Sequence, residues 1–471
     1  MTHRAAIAGS LVVLVACSAL PAWGLQYTIA YTGETHSMVG PCNCPIRPDG
    51  GVARRATMLR QVRKRGLNPV LVVDAGGLFA GGPYDEYTLG PVVDRERTLT
   101  TLRAMALMGY DAVGVGDEEL AYGADFLRHA GDVARTTFVS ANLCGADGRL
   151  LLPTHVVREV GGLRFGIIGA TPDEAFLFDE GRFPDGLSVS PPIPAVRAVV
   201  EQIRAAVDVV VLLSHLGETT SRELLQQVGG IDVLINAHRM SSEPGGLSDV
   251  IGGTVVAHFS YQGRALGRID FTVDERHRID GFQVREMRLS DQVESDAEVG
   301  ALVDAFEARL GGDLAEQSQA VVDLYVTSEC PHCRTAQPEV FAAVQDFGPK
   351  RVVLRRHYVV HAGEDGALDS GTEPAELLED RRQACIERVA GPRIAQYLMA
   401  RMVSPQSPFE ELLRSIGVDA DPIERCVEGR ESEARLLHDA ELAKRFRIRE
   451  TPTLLVNGTR TGSYAEITRD R

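Results

Sequence analysis

Cysteine is scarce in this sequence, with eight among 471 residues. That is too few for a scaffold held by dense disulfides. Basic residues are also short: 49 Lys and Arg stand against 65 Asp and Glu, a formal net charge of −16. Nucleic-acid binding needs a basic face to neutralise phosphates, so nucleic acid is excluded as a partner. Beyond the amino-terminal stretch no apolar run approaches the roughly 18 residues of a spanning helix, so no transmembrane span is expected. Internal repeats and low-complexity tracts are absent as well. What is present is ordinary: 44% hydrophobic and 24% charged residues, which exclude wholesale disorder. At roughly 150 residues per domain, the length predicts two to three domains.

The cysteines are unevenly spaced. Cys42/Cys44 and Cys330/Cys333 are close pairs, while Cys17, Cys144, Cys385 and Cys426 are isolated. Close pairs suggest chemistry and isolated ones structure. At the amino terminus, Ala5 to Leu20 is apolar and Pro21 breaks it. Ala22-Trp23-Gly24 then puts small residues where a signal peptidase cuts, which predicts a secretory signal over 1–24. Leu14-Val15-Ala16-Cys17 also fits a bacterial lipobox, in which Cys17 becomes a lipid anchor. Both readings stay open, with an uncleaved anchor as the third. The first two place the body in the periplasm or otherwise outside the cytoplasm, where disulfides persist.

Short buried strands alternate with helices through the first part of the chain. Strands are expected at 25–31, 70–73, 112–115, 138–139, 165–168, 207–213 and 233–235. The helix expected over 51–64 has an apolar stripe of Val52, Met58, Leu59 and Val62. Its Arg54, Arg55, Arg60, Arg63 and Lys64 read as a solvated face. Residues 254–273 read as two closing antiparallel strands, and 296–310 as an amphipathic helix ended by Gly311-Gly312. A second unit starts with a strand over 321–326, a Cys-Pro-His-Cys loop and a helix through Gln345. A strand at 352–360, a mostly helical stretch over 373–447 and a strand at 453–456 follow. The class is therefore α/β, and ligands in such sheets sit beyond the carboxyl ends of strands.

A C-x-x-C after a strand and opening a helix signals redox chemistry. Cys330 would sit at the helix N-terminus, whose unpaired N–H groups stabilise a thiolate. His332 adds a donor or a positive charge. Cys333 would be the resolving thiol, one turn inward. A half zinc site or a structural disulfide is the plainer alternative, though no second C-x-x-C completes a zinc site. With Thr451-Pro452 before a short strand, these residues resemble the thioredoxin superfamily. The Cys-Pro-His-Cys choice and the helical insert resemble its disulfide oxidoreductase A branch over 318–471. The resemblance implies Cys330 as nucleophile, Cys333 as resolving thiol, and Thr451 and Pro452 shaping the substrate groove. It implies no cofactor for the thiol chemistry, and a protein or small thiol as partner. Asp323 is a candidate buried acid, one position off the register expected. Cys385 and Cys426 would be a structural disulfide or a relay pair.

Residues 25–290 resemble the metallophosphoesterases of the 5'-nucleotidase type. The matching stretches include Gly50-Gly51-Val52-Ala53-Arg54, Pro69 to Gly76, Ser140-Ala141-Asn142-Leu143, Leu212 to Gly217 and Gly263 to Asp270. The resemblance implies a four-layer αββα sandwich with a two-metal centre on loops after successive strands. A helical linker over 291–317 would lead to the second domain. Several ligand positions depart from the pattern. Glu34-Thr35-His36 stands for D-x-H, Gly77 for the bridging Asp, and Asp117-Glu118 for the Asn ligand and catalytic His. His215 is retained, and Ala237-His238-Arg239-Met240 keeps one His of two. The first metal site is left with Glu34 and His36 alone. The second keeps Asp117, His215 and His238, a set for one divalent ion such as Zn, Mn or Fe. Relic hydrogen-bonded side chains are the plainer alternative. Cys42 and Cys44, in the loop after His36, would be redox partners of Cys330/Cys333, soft-metal ligands or a loop staple. The expected function is an exported thiol–disulfide oxidoreductase fused to a domain with doubtful hydrolase activity. The alternatives are a metal-dependent phosphoesterase with a modified mononuclear site, or a metal- or protein-binding pseudoenzyme.

Overall fold

The computed structural model describes residues 26–460, apart from 43–47, 66–67, 83–84, 86, 174–182, 239–247, 259–262, 364–366, 370–373 and 458. The expected export signal with Cys17, and also Cys44 and Met240, lie outside the described residues. The chain runs β1 (Tyr27–Thr32), α1 (Val52–Arg65), β2 (Val70–Asp74), α2 (Pro91–Met108), β3 (Ala112–Gly114), α3 (Gly123–Ala134) and β4 (Thr137–Val139). Next come β5 (Leu143–Cys144), β6 (His155–Val160), β7 (Leu163–Ala170), β8 (Ser188–Val189), α4 (Pro192–Ile203), β9 (Val209–Ser214), α5 (Gly217–Gln227) and β10 (Val233–Asn236). Then follow β11 (Ser248–Ile251), β12 (Thr254–Ala257), β13 (Ala265–Val273), β14 (Ile279–Arg288) and α6 (Ala297–Leu310).

Two six-stranded sheets result, ordered β14-β13-β1-β2-β3-β4 and β11-β12-β10-β9-β7-β6. Strands β1 to β4 run parallel, as do β7, β9, β10 and β12. Alternation along a strand sends neighbouring side chains to opposite faces. Ala30 and Val72 thus pack under α1, α2, α3 and α6. Ile29, Tyr31, Leu71 and Val73 face Phe165, Ile167, Val209 and Val211 of the other sheet. The far face of that second sheet, with Val210 and Leu212, packs on α4 and α5. Both sheets are covered on both faces, which suits the continuous apolar runs of their parallel strands.

Three expectations are corrected. Arg55 is fully buried rather than solvated, beside Asp74 and Tyr110, where its charge offsets a buried carboxylate. Residues 254–273 are not one antiparallel pair: β12 joins the second sheet, and β13 pairs with β14 and β1 in the first. An apolar run cannot tell which neighbour a strand will choose. The expected linker helix α6 is part of the first core, through Val299 and Phe306. Asp296 caps it, accepting from the amides of Glu298 and Val299.

The remainder runs β15 (Ala320–Val326), α7 (Pro331–Phe347), β16 (Val352–Tyr358), β17 (His361–Ala362), β18 (Leu368–Asp369) and α8 (Pro374–Ala390). It ends with α9 (Arg393–Val403), α10 (Phe409–Ser415), α11 (Ala420–Glu428), α12 (Arg430–Arg445), β19 (Thr453–Val456) and β20 (Thr459–Arg460). A four-stranded sheet, β16-β15-β19-β20, carries this part, with β15 parallel to β16 and antiparallel to β19. Helices α8 to α11 enclose a core of their own around Ile386, Tyr397, Leu413 and Ile423. Cys385 on α8 and Cys426 on α11 are joined by a disulfide, Cα to Cα 5.8 Å. Among the described residues no helix is long and apolar enough to cross a membrane.

Candidate functional site

Four strand ends of the two large sheets deliver side chains to one buried cluster. Glu34 and His36 lie on the loop after β1, both with left-handed backbone, φ 47° and 43°. That loop is tied to the one after β2: the amides of Glu34 and His36 donate to the carbonyls of Gly76 and Gly77 at 2.8 and 2.9 Å. Asp117 and Glu118 follow β3, His215 follows β9 and His238 follows β10. A Cβ on Gly116 would sit 2.5 Å from the His215 ring, so only glycine lets that ring pass.

The geometry is close. His36 Nε2 is 3.0 Å from Glu34 Oε2, and His215 Nε2 is 2.8 Å from Asp117 Oδ1 and 3.2 Å from Glu34 Oε1. His238 Nδ1 is 3.6 Å from Asp117 Oδ1, and its amide donates to Glu34 Oε1 at 2.7 Å. His215 Nδ1 faces the Ala75 carbonyl at 3.2 Å; a carbonyl only accepts, so that nitrogen carries the proton and Nε2 faces the carboxylates. All five residues proposed from sequence as metal ligands are thus brought together. The structure adds a sixth, Glu118, whose carboxylate reaches both His36 Nδ1 and His215 Nε2 at 3.6 Å. Read from sequence only as the replacement of a catalytic His, it faces the cluster instead.

Burial opposes charge on His215, Asp117 and Glu118, and the neighbours decide the outcome. Burial alone would lower the His215 imidazole, but Glu34 and Asp117 push it up to about 10. Burial would raise Asp117, yet His238 and His215 hold it well below the carboxylate range. Glu118 goes the other way: burial, then Asp117 and Glu34, push it well above that range. No hydrogen bond of good geometry reaches the buried oxygens of Asp117 and Glu118, which His215 Nε2 faces at 2.8 and 3.6 Å. Orphaned acceptors of this kind beside imidazoles fit a divalent cation, and three residue groups here have ligand atoms within 4.8 Å of one another.

Two supports lie outside the residues expected from the sequence. Glu119 accepts from the amides of Gly77, Leu78, Phe79 and Gly116 at 2.6–3.1 Å, pinning two site loops together. The run of three acids at a strand end was the available clue. Arg97 is buried between Asp85 and Asp94 and donates to the His36 carbonyl at 2.9 Å. Cys42 is buried in the loop after His36, its amide bonded to Asp49.

The second candidate site is at α7. Cys330 is its N-cap, and its sulfur accepts from the Cys333 amide at 3.2 Å and lies 3.6 Å from the Thr451 carbonyl. The Thr451–Pro452 peptide bond is cis. Burial would raise the Cys330 thiol, but the Cys333 thiol and amide, Thr451 and the His332 amide lower it. The imidazole of His332 is exposed, so its backbone is what serves the sulfur. Cys333 is fully buried, and burial with the Cys330 contact raises it to about 12. Asp323 is engaged elsewhere: His357 lies between it and Asp439, at 3.0 and 2.8 Å. An acid the sequence did not single out, Asp380 on α8, accepts from the Ser328 amide at 3.0 Å just before the thiols. Burial raises it to about 7.

No protein-family model matches the chain. Over 262 residues it is 29% identical to the 5'-nucleotidase of Rattus norvegicus, covering 50% of this chain and 42% of that protein. Over 367 residues it is 24% identical to the trifunctional nucleotide phosphoesterase protein YfkN of Bacillus subtilis (strain 168), covering 69% of this chain and 23% of that protein. The solved 5'-nucleotidase precursor of Thermus thermophilus superposes with a TM-score of 0.56 at 21% identity, covering 69% of this chain and 68% of that one. These likenesses support a 5'-nucleotidase/calcineurin-like metallophosphoesterase domain. The chain spans less than half the length of the two curated relatives. Within the metallophosphoesterase-like domain, the six-residue cluster sits at the carboxyl ends of parallel strands, where such sheets hold ligands.

Proposed function

We propose that the chain is an exported, metal-dependent phosphoester hydrolase with a remodelled centre, carrying a separate thiol–disulfide exchange site. The observation that carries the hydrolase reading is the convergence of Glu34, His36, Asp117, Glu118, His215 and His238 in one buried cluster whose ligand atoms lie within 4.8 Å in groups of three. Asp117, His215, His238 and Glu34 would hold a divalent ion such as Zn, Mn or Fe. When bound, the ion supplies Lewis acidity to a phosphoryl oxygen and lowers the pKa of a water. The chain itself orients the ligands: Ala75 fixes the His215 ring, Arg97 holds the His36 carbonyl, and Glu119 fixes the loops. Because the relatives are named for nucleotides, nucleotide mono- and diesters are the substrates to test first. The expected result is phosphate release with Mn²⁺ or Zn²⁺ that His215→Ala abolishes. Release undiminished by His215→Ala, or none from the intact protein, overturns the reading.

The second centre is favoured by its own geometry, a half-exposed sulfur at a helix N-cap receiving a backbone amide. The resemblance of residues 318–471 to thioredoxin-like oxidoreductases supports the same reading. The Cys330 thiolate attacks a partner disulfide and releases one partner thiol. Cys333 then attacks the Cys330 sulfur, releasing the second thiol and leaving the Cys330–Cys333 disulfide; the reverse sequence oxidises a partner dithiol. The Cys385–Cys426 disulfide supports an oxidising, extracytoplasmic location. Cys330→Ser is expected to abolish exchange with a test dithiol, and normal exchange by that variant sinks this part.

A further inference from the structure

Two neighbouring arginines of β16 face opposite ways, as alternation along a strand requires. Arg356 is fully buried against Gln337 of α7 and Gln383 of α8, inside its own unit. Arg355 turns the other way and reaches the first unit. Its Nη2 donates to the backbone carbonyl of Asp85 at 2.9 Å, on the segment between β2 and α2. The same segment is met again at its end, where the Gln319 amide, just before β15, donates to the Leu89 carbonyl at 2.9 Å. A Cβ on Gly90 would lie 2.6 Å from Gln319 Oε1, so this approach depends on a glycine, with φ 94°.

Asp85 also anchors a network inside the first unit, and it is 1% exposed. One carboxylate oxygen accepts from the Gly81 amide at 2.7 Å and from Arg97 Nη1 at 3.0 Å. The other accepts from the Tyr87 amide at 2.9 Å. Arg97 Nη1 further meets Asp94 at 2.9 Å and the Tyr87 carbonyl at 2.8 Å. Its Nη2 donates to the His36 carbonyl at 2.9 Å. His36 holds its ring 3.0 Å from Glu34 in the carboxylate–imidazole cluster, on left-handed backbone with φ 43°. A non-glycine residue keeps such a conformation only when its surroundings impose it. A run of hydrogen bonds thus leads from β16 through Asp85 and Arg97 to His36. Cys330 and Cys333 are not members of it.

We propose, on the reading of this cluster as a metal centre, that Arg355 is a positioning residue for it. The thiol-bearing unit, docked through Arg355, is then the outer support of the loop that carries His36. Without the guanidinium, the buried Asp85 carbonyl loses a donor, and the segment that aims Arg97 is free to relax. Removing a group that orients a metal ligand typically lowers affinity about 10–100-fold. Arg355 acts through two intervening residues, which places it at the lower end of that range.

The test is titration of the metal-free full chain with Co²⁺, whose visible absorption follows ligand number and geometry. Arg355→Ala is expected to weaken Co²⁺ binding about tenfold and to shift the absorption of the bound ion. Arg355→Lys, whose ammonium can still donate to the Asp85 carbonyl, is expected to recover most of both. Thiol exchange at Cys330 should be unchanged in either variant, since Arg355 touches neither thiol. Circular dichroism of each variant checks that it is folded, and a merely structural loss would lower the melting temperature without moving the Co²⁺ spectrum. Unchanged affinity and spectrum in folded Arg355→Ala overturn the proposal and leave the metal-centre reading standing. So does Arg355→Lys behaving like Arg355→Ala, or thiol exchange falling along with affinity. An intact protein that binds no Co²⁺ sinks the metal-centre reading and the proposal together.

Discussion

The two candidate centres are built on opposite plans. The dithiol site is local: Cys330, Cys333 and the first turn of α7 make most of it, with only Thr451 arriving from afar. The carboxylate–imidazole cluster is assembled from four loops of two sheets, between residues about two hundred positions apart, as the Glu34–His238 contact shows. A local site is read from adjacent letters. A distributed one is visible only once the chain is folded, as where Glu34 packs against Gly77 of the neighbouring loop.

The comparison is broken most severely by Gly116→Ala. Its Cβ would press 2.5 Å from the His215 ring, so metal affinity should fall by about 100-fold or more, read by titration calorimetry. Thiol exchange should be unchanged; a loss at both centres would show that they are not independent. Next is the cross-link. Cys385→Ala with Cys426→Ala is expected to cost roughly 2–4 kcal/mol of stability in the second unit, measured by urea unfolding. Metal binding should be untouched.

Alkylation sharpens the asymmetry between the thiols. With iodoacetamide near pH 7, Cys330 should react first, and Cys333 should resist until the pH approaches about 12. Equal labelling of the two cysteines in peptide mass spectra would contradict the burial difference. The smallest effect is the pH dependence of the second unit. Burial opposes charge on His357, but Asp323 and Asp439 raise it. Its contribution is therefore full below the unfolded value of about 6.5 and is lost as pH rises through the folded one. Asp439, lowered to about 2 chiefly by Arg435 and His357 against the cost of burial, contributes above about 3.9 and loses that as pH falls. His357→Gln should therefore flatten the loss of melting temperature as pH rises above about 6.5.

Much of the fold was legible because its strands are short, buried, apolar runs separated by amphipathic helices. The residues 453–456 expected as a strand are β19. Pairing was less legible, since β12 and β13 look alike in sequence and go to different sheets. Arg55 was misread because charge on a helix usually marks solvent, and its offsetting partner, Asp74, comes from another strand. At the site, the imidazoles and Asp117 could be found by motif. Glu118 could not, because a substitution pattern records what a letter replaces rather than where its oxygens point.

Glu119 has a consequence of its own. One carboxylate holds four amides from two loops, so the shape of the cluster is set by the chain before any guest arrives. A cradle rigid in advance spends little entropy on closing around an ion. It also cannot stretch to suit every radius, so choice among cations would fall on size and coordination number more than on intrinsic affinity.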